Sequence, residues 1–172
     1  MAHDIIEKQV QLRAPRSRVW RALVDPAEFG AWFGVKLDRP FAPGEVVRGD
    51  FSEDRPPQEV FDAEAKRLGF EPAPVKPPPK DAVFCTVERV EPETYLSFRW
   101  IPYGIDATAD PDNEPTTLVE FQLEARGDET LLTIRESGFE RVPAHRRQRA
   151  FRMNDGGWAA QAENMKKHVE GA

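Results

Sequence analysis

Two carboxylates near the end of the chain have the spacing for acid–base or ligand-binding chemistry. Glu136 follows Leu132 and Ile134 at two-residue spacing, so in a strand all three side chains lie on one face. Asp155 is expected on the inward face of a helix, because it repeats at three- to four-residue steps with Phe151, Trp158, Ala162, Met165 and Val169. Two inward carboxylates could act as acid and base, or contact a polar group of a ligand. A structural salt bridge is the alternative, so both stay candidates and no catalytic residue is assigned.

Aromatic side chains at matching spacings could line a cavity around these carboxylates. Phe98 and Trp100 share one face of a predicted strand, and further rings lie on neighbouring elements. Small-molecule sites are lined mostly by such side chains with few polar groups. The alternative is that the rings simply pack into a core. The candidate ligand-binding residues are Trp32, Phe51, Phe84, Phe98, Trp100, Phe121, Ile134, Glu136, Phe151, Asp155 and Trp158.

Other catalytic chemistries find little support in the sequence. His3, His145 and His168 lack the spacing of paired metal ligands and lie on no apolar face, so we expect solvated histidines and no metal. Cys85 has no basic neighbour in sequence to make it a thiolate and is expected to be a small buried thiol. No glycine-rich nucleotide loop occurs, and we expect no cofactor.

The elements that must position these residues can be predicted from periodicity and breakers. Asp25 and Pro26 are the expected N-cap and first residue of a short helix, which follows a helix beginning near Pro15. Strands are predicted at 4–12, 44–51, 82–90, 95–101, 116–125 and 130–137, and a long helix at 143–171. The last four strands form two hairpins, so the sheet is expected to be mostly antiparallel.

Composition limits the protein class. A chain of 172 residues with 40% hydrophobic and 31% charged residues fits one globular domain, residues 1–172. A formal net charge of −6 disfavours a DNA-coating protein, so no nucleic-acid partner is expected. No apolar run is long enough to cross a membrane. The N-terminus lacks the basic and apolar regions of a signal peptide, so none is expected. A cytoplasmic location is therefore expected.

Two segments fit the domain poorly. The segment at about 52–80 contains seven prolines and a short helical stretch, so it is predicted to be an insertion in a hairpin. It could be a lid, a partner-docking strip or a family-specific ornament. Residues 104–115 form an acidic loop without apolar period. A basic cluster at 141–152 is expected to be a solvated face paired with glutamates.

Four motifs, in this order, resemble the SRPBCC (START-like, helix-grip) superfamily. Val19–Pro26 followed by Trp32-Phe33 is similar to its opening signature. Cys85–Trp100 is similar to its hairpin ending in F-x-W, and Thr117–Phe139 to its T-x-V-x-F-x-L-E … T-x-L-T-I-x-x-S-G-F pair. Gly157-Trp158 is similar to the G-W of the last helix. The resemblance covers about 5–51 and 82–170, and is closest to the branch named after the activator of the heat-shock-protein-90 ATPase.

The resemblance implies an α+β fold in which a curved antiparallel sheet wraps around a long C-terminal helix, with two short helices after the first strand. It also implies a cavity between sheet and helix for a small hydrophobic or amphipathic molecule. Two alternatives stay open: a co-chaperone-like domain that stimulates a chaperone ATPase, and a hydrolase or cyclase that uses pocket carboxylates. A homodimer is left open too. The chain departs from the family at Glu136, where members commonly have histidine, and in its longer insertion.

Overall fold

Seven strands and four α-helices form the part of the chain that the computed structural model describes, residues 5–51, 57–71, 80–102 and 114–171. The strands are β1 (Ile5–Leu12), β2 (Lys36–Leu37), β3 (Val46–Asp50), β4 (Ala82–Glu91), β5 (Tyr95–Trp100), β6 (Thr117–Arg126) and β7 (Glu129–Ser137). The helices are α1 (Arg16–Val24), α2 (Pro26–Phe33), α3 (Gln58–Arg67) and α4 (Ala144–Glu170), and a 3₁₀ turn at Phe139–Arg141 precedes α4. The predicted order of elements is confirmed, with β2 as an additional short strand.

The described strands form one antiparallel sheet in the order β1-β7-β6-β5-β4-β3-β2. The long helix α4 packs against β1 and against α1 and α2. The curved sheet therefore encloses its core with a long C-terminal helix, and the predicted α+β helix-grip fold is confirmed. No helix in the described ranges is long and apolar enough to cross a membrane.

The second of the two short helices after β1 begins where the sequence predicts. The Asp25 side chain accepts hydrogen bonds from the backbone N–H groups of Ala27 (2.9 Å) and Glu28 (3.1 Å), and Pro26 is the first residue of α2. These bonds satisfy donors that a helix start leaves without partners. α2 ends at Gly34, whose φ of 92° is in the left-handed region that glycine adopts without strain. The predicted N-cap and first residue are confirmed.

The inward face of α4 differs from the predicted face over its first half. Trp158, Ala162, Met165 and Val169 are buried as predicted, but the buried residues before them include Ala150 and Asn154. Phe151 and Asp155 were the predicted members, and both are only partly buried. If only apolar residues are counted, the buried face of α4 is predicted to include Phe151. The actual phase places a polar residue, Asn154, inside.

The insertion at 52–80 contributes α3, which packs beside the first half of α4. Ala65 of α3 is 1% exposed. A Cβ on Gly156 of α4 would lie 3.6 Å from an Arg67 guanidinium nitrogen and 3.8 Å from a Glu64 carboxylate oxygen. Gly156 thus faces α3. The acidic loop, apart from 114–115, and the prolines at 56, 72, 74 and 77–79 lie outside the described residues.

Two glycines, one in α2 against the turn that follows it and one exposed on α4, make a matched test of how closely the chain packs at that turn. A Cβ on Gly30 would lie 2.2 Å from the carbonyl oxygen of Val35, whereas a Cβ on Gly157 of α4 would have no neighbour within 4 Å. We expect Gly30→Ala to lower the free energy of unfolding by about 1–3 kcal/mol, because the chain after α2 must move. Gly157→Ala should raise it by about 0.5–1 kcal/mol, through helix propensity alone. Urea unfolding of both variants measures this, and equal effects would contradict the described turn after α2.

Candidate functional site

The Glu136 carboxylate lies at the centre of the candidate site. It is on β7, where Thr130, Leu132, Ile134 and Glu136 alternate with outward residues and are all buried. Its Cα is opposite Ile6 of β1 on one side and Val119 of β6 on the other. The side chain is 0% exposed. The predicted inward orientation is therefore what the structure has.

Four side chains from three elements donate hydrogen bonds to this carboxylate. Trp100 of β5 donates through Nε1 to Oε2 at 2.8 Å, and Thr117 of β6 through Oγ1 to Oε2 at 2.5 Å. From α4, Trp158 donates through Nε1 to Oε1 at 2.9 Å. Asn154 Nδ2 lies 2.9 Å from Oε1 and 3.0 Å from Oε2. The carboxylate thus joins the middle of the sheet to the long helix.

This donor set suits a carboxylate and no other side chain of similar size. Indole N–H and amide NH₂ groups can only donate, and an ionised carboxylate can only accept. A buried carboxylate without such bonds would be costly, because it has lost its water. Within the described ranges no lysine, arginine or histidine forms an ion pair with Glu136. The compensation there consists of hydrogen bonds from neutral groups.

Two of the donors, Trp100 and Trp158, belong to a larger group of aromatic rings beside the carboxylate. The indoles of Trp100 and Trp158 stack with centroids 5.4 Å apart and planes 26° apart, and the ring of Phe33 lies 6.0 Å from both. We call the connected rings the aromatic cluster; its members are Phe29, Trp32, Phe33, Phe41, Phe51, Phe84, Phe98, Trp100, Phe121 and Trp158. Most are buried, while Phe33, Phe51 and Trp100 are only partly so. The aromatic cluster therefore extends from the core to the surface beside Trp100.

Most of the predicted site residues come together here. Trp32, Phe51, Phe84, Phe98, Trp100, Phe121 and Trp158 belong to the aromatic cluster, and Ile134 is buried two residues before Glu136. Two do not join them. The ring of Phe151 packs on Phe139 at 5.2 Å. Asp155 lies 2.9 Å from Lys8 of β1, with its side chain 47% exposed. The structure therefore does not bring Asp155 to Glu136 as an acid–base pair.

The sequence interpretation missed Asn154 and Thr117 as partners of Glu136. Asn154 is one turn before Trp158 on the same helix face, so a buried carboxylate opposite the helix was the signal that could have identified it. Thr117 begins β6 and alternates with Val119 and Phe121. Its face was predictable, but its hydroxyl has no distinguishing pattern. Phe33 was placed on the inner face of α2 and not among the ligand-binding residues.

The remaining titratable candidates lie outside the aromatic cluster. His168 Nε2 of α4 is 3.0 Å from Glu28 Oε1, and both side chains are 22% exposed, so this histidine is not simply solvated as expected. His145 is exposed, and His3 lies outside the described residues. Burial raises the pKa of the Cys85 thiol well above its ordinary value. No group of histidine, cysteine and acidic residues in the described ranges could hold a metal ion.

A family model described as "Activator of Hsp90 ATPase homolog 1-like protein" matches residues 13–170. The chain belongs to this family. The match confirms the branch that the sequence motifs resemble, and it extends through the insertion. No curated protein sequence matches the chain.

Solved structures share the family fold at low identity. Protein MLL2253 from Mesorhizobium loti aligns with a TM-score of 0.67 at 22% identity, covering 98% of each chain. DynU16, from the dynemicin biosynthetic locus, gives 0.64 at 23% identity; 97% of this chain aligns with 47% of DynU16, so this chain spans about half its length. The Aha1 dimer from Colwellia psychrerythraea gives 0.63 at 14% identity over 96% of each chain. Likeness at these identities shows the fold alone.

The donor set predicts the effect of removing one oxygen from Glu136. In Glu136→Gln an NH₂ group replaces one acceptor oxygen. Each oxygen of Glu136 accepts from an indole N–H, which can only donate, so at least one buried indole loses its bond. We expect the free energy of unfolding to fall by about 1–3 kcal/mol. Glu124→Gln, at a 65% exposed carboxylate beside Arg126, is the control and should change it by less than about 0.5 kcal/mol. Urea unfolding that shows equal stability for the two variants would contradict the hydrogen-bond network.

Cys85 should be protected from thiol reagents in the folded protein. The side chain is buried, and burial raises the pKa of its thiol, so little thiolate is present and a reagent has no access. Modification should then require opening of the fold, at a rate at least about 10³-fold below that of the unfolded chain. An absorbance assay with an aromatic disulfide, with and without denaturant, measures the ratio. Immediate reaction of the folded protein would show that β4 opens to solvent.

Proposed function

We propose that this chain binds a small hydrophobic or amphipathic molecule between the sheet and α4. One observation carries the proposal: a connected set of aromatic rings lies beside a single, fully hydrogen-bonded carboxylate and reaches the surface at Phe33, Phe51 and Trp100. An apolar lining with few fixed polar groups is the usual composition of small-molecule sites. The ligand would enter beside Trp100 and contact ring faces.

In this proposal Glu136 is a positioning residue. Its two oxygens hold the N–H edges of Trp100 and Trp158, so both indoles keep their stacked orientation. Trp158 is buried, so the partly exposed ring of Trp100 is the one that a flat or aliphatic ligand would meet first. Because the carboxylate is already occupied by four donors and Asp155 lies on Lys8, the geometry favours binding over hydrolase or cyclase chemistry.

The comparisons support a small-molecule ligand in one respect. DynU16 comes from a biosynthetic locus, where small molecules are made, although its identity to this chain is only 23%. A lipid-like, aromatic or polyketide-like ligand is consistent with the rings. The family description supports the alternative of a chaperone ATPase partner.

Native mass spectrometry and a neutral dye test the proposal together. Protein purified without denaturation should carry extra mass that is lost on unfolding, or, if bare, should bind Nile red with a blue-shifted emission. Phe33→Ala removes a partly buried ring of the aromatic cluster without touching the Glu136 bonds. We expect it to weaken dye binding by about tenfold, from roughly 1.5 kcal/mol of lost apolar contact.

Trp20→Ala is the matched control, because Trp20 is a partly buried aromatic residue of α1 outside the aromatic cluster. It should leave dye affinity unchanged. A bare protein that does not bind the dye would overturn the proposal. Capture of a chaperone ATPase by that bare protein would then favour the alternative.

A further inference from the structure

The first half of α4 carries arginines that the sequence interpretation placed on a solvated face, and two of them turn inward. Arg146 is four residues before Ala150, eight before Asn154 and twelve before Trp158, so it continues the buried stripe of α4. Its side chain is only 12% exposed. A guanidinium group at such a position needs acceptors, because it has lost most of its water.

The described residues supply fewer acceptors than these groups need. Arg146 forms an ion pair through Nη2 with Glu114, whose side chain is also 12% exposed. The Nε–H of Arg146 and the Nε–H of Arg149 are both buried, and neither has an acceptor in the part of the chain described. Guanidinium groups carry five donors each, and unpaired buried donors cost about 1–3 kcal/mol. Two such donors therefore lie one helical turn apart on α4, and both lack an acceptor among the described residues.

The residues that follow α3 contact Arg149 and its neighbour Arg152, and the ion pairs of this region leave one positive charge unpaired. Arg149 and Arg152 lie beside the ring of Phe70, with guanidinium carbons 5.8 Å and 6.0 Å from its centroid. Arg152 also donates to the carbonyl of Leu68 at 3.4 Å. Phe70 and Leu68 directly follow α3, so the insertion forms one wall here. Glu114 is the one described carboxylate paired with Arg146 or Arg149, which leaves one positive charge uncompensated.

We infer that the ligand carries an acidic group, a carboxylate or a phosphate, which Arg146 and Arg149 bind at the end of α4 nearest the insertion. This inference rests on the proposed function, since the apolar part of the same molecule would lie in the aromatic cluster. Arg146 is eight residues from Asn154, or about 12 Å along the helix. A molecule with an acidic head and an apolar body of medium length would span this distance. Its oxygens would accept from the two buried Nε–H groups.

Calorimetric titration with three probes of equal chain length tests the inference: dodecanoate, dodecyl phosphate and 1-dodecanol. The acidic probes should bind at least about tenfold more tightly than the alcohol, as expected for charge-assisted hydrogen bonds. The tighter of the two acids identifies the head group. In Arg149→Gln this preference should fall by at least about tenfold, while affinity for the alcohol should stay unchanged. Arg126→Gln, at a 50% exposed arginine in the β6–β7 turn, is the control and should keep the preference.

Glu114→Gln gives a test in the opposite direction. Glu114 competes with the ligand for Arg146, so its neutralisation should tighten binding of the acidic probes several-fold and leave the alcohol unchanged. General exposure of apolar surface would tighten binding of the alcohol as well. A gain confined to the acidic probes is therefore informative even if Arg146→Gln is unstable.

Three outcomes separate the two proposals. Equal affinity for acids and alcohol, with no effect of Arg149→Gln, would overturn the acidic head group and leave the apolar site in place. If no probe binds but the protein still binds Nile red, the acidic head group is likewise overturned and the apolar site stays in place. No binding of the probes or of Nile red would overturn both.

Discussion

The buried Glu136 carboxylate is the interaction on which the interior of this protein depends. A carboxylate at 0% exposure is stable only if its oxygens receive hydrogen bonds, and here they come from β5, β6 and α4 at once. Each donor is thereby fixed in turn: the two indoles stack because their N–H edges converge on one group. The distance between sheet and helix and the orientation of the ring faces are consequences of the same contact.

Much of the fold was predictable because it follows from local rules. Asp25 and Pro26 fix the start of α2 by capping and by a preset φ, and the two-residue alternation of β7 turns Glu136 inward. The phase of α4 was not predictable in this way. Its buried stripe passes through Arg146 and Asn154, which are polar, and these become inward residues only because acceptors lie opposite them. Local apolar periodicity cannot contain that information.

The candidate site was predictable as a set of rings but not as an arrangement. Phe98 and Trp100 share a face by strand geometry, whereas their closeness to Phe33 and Trp158 depends on how α2 and α4 pack on the sheet. Asp155 shows that the sequence pattern could not fix which residues of α4 point inward. It is one residue from Asn154, and a shift of one position along a helix, about 100° of rotation, takes it out to Lys8 at the edge strand.

The carboxylate at position 136 bears on specificity. A histidine, which the resemblance leads us to expect here in relatives, would offer as a neutral imidazole one acceptor nitrogen and one donor, and could not satisfy Trp100, Thr117, Asn154 and Trp158 together. A carboxylate can, because it accepts at both oxygens. The polar centre of this chain is thus saturated by its own donors, and a ligand would find only ring faces beside it. In our proposal, polar recognition comes instead from the inward arginines of α4, because the Nε–H groups of Arg146 and Arg149 have no acceptor among the described residues.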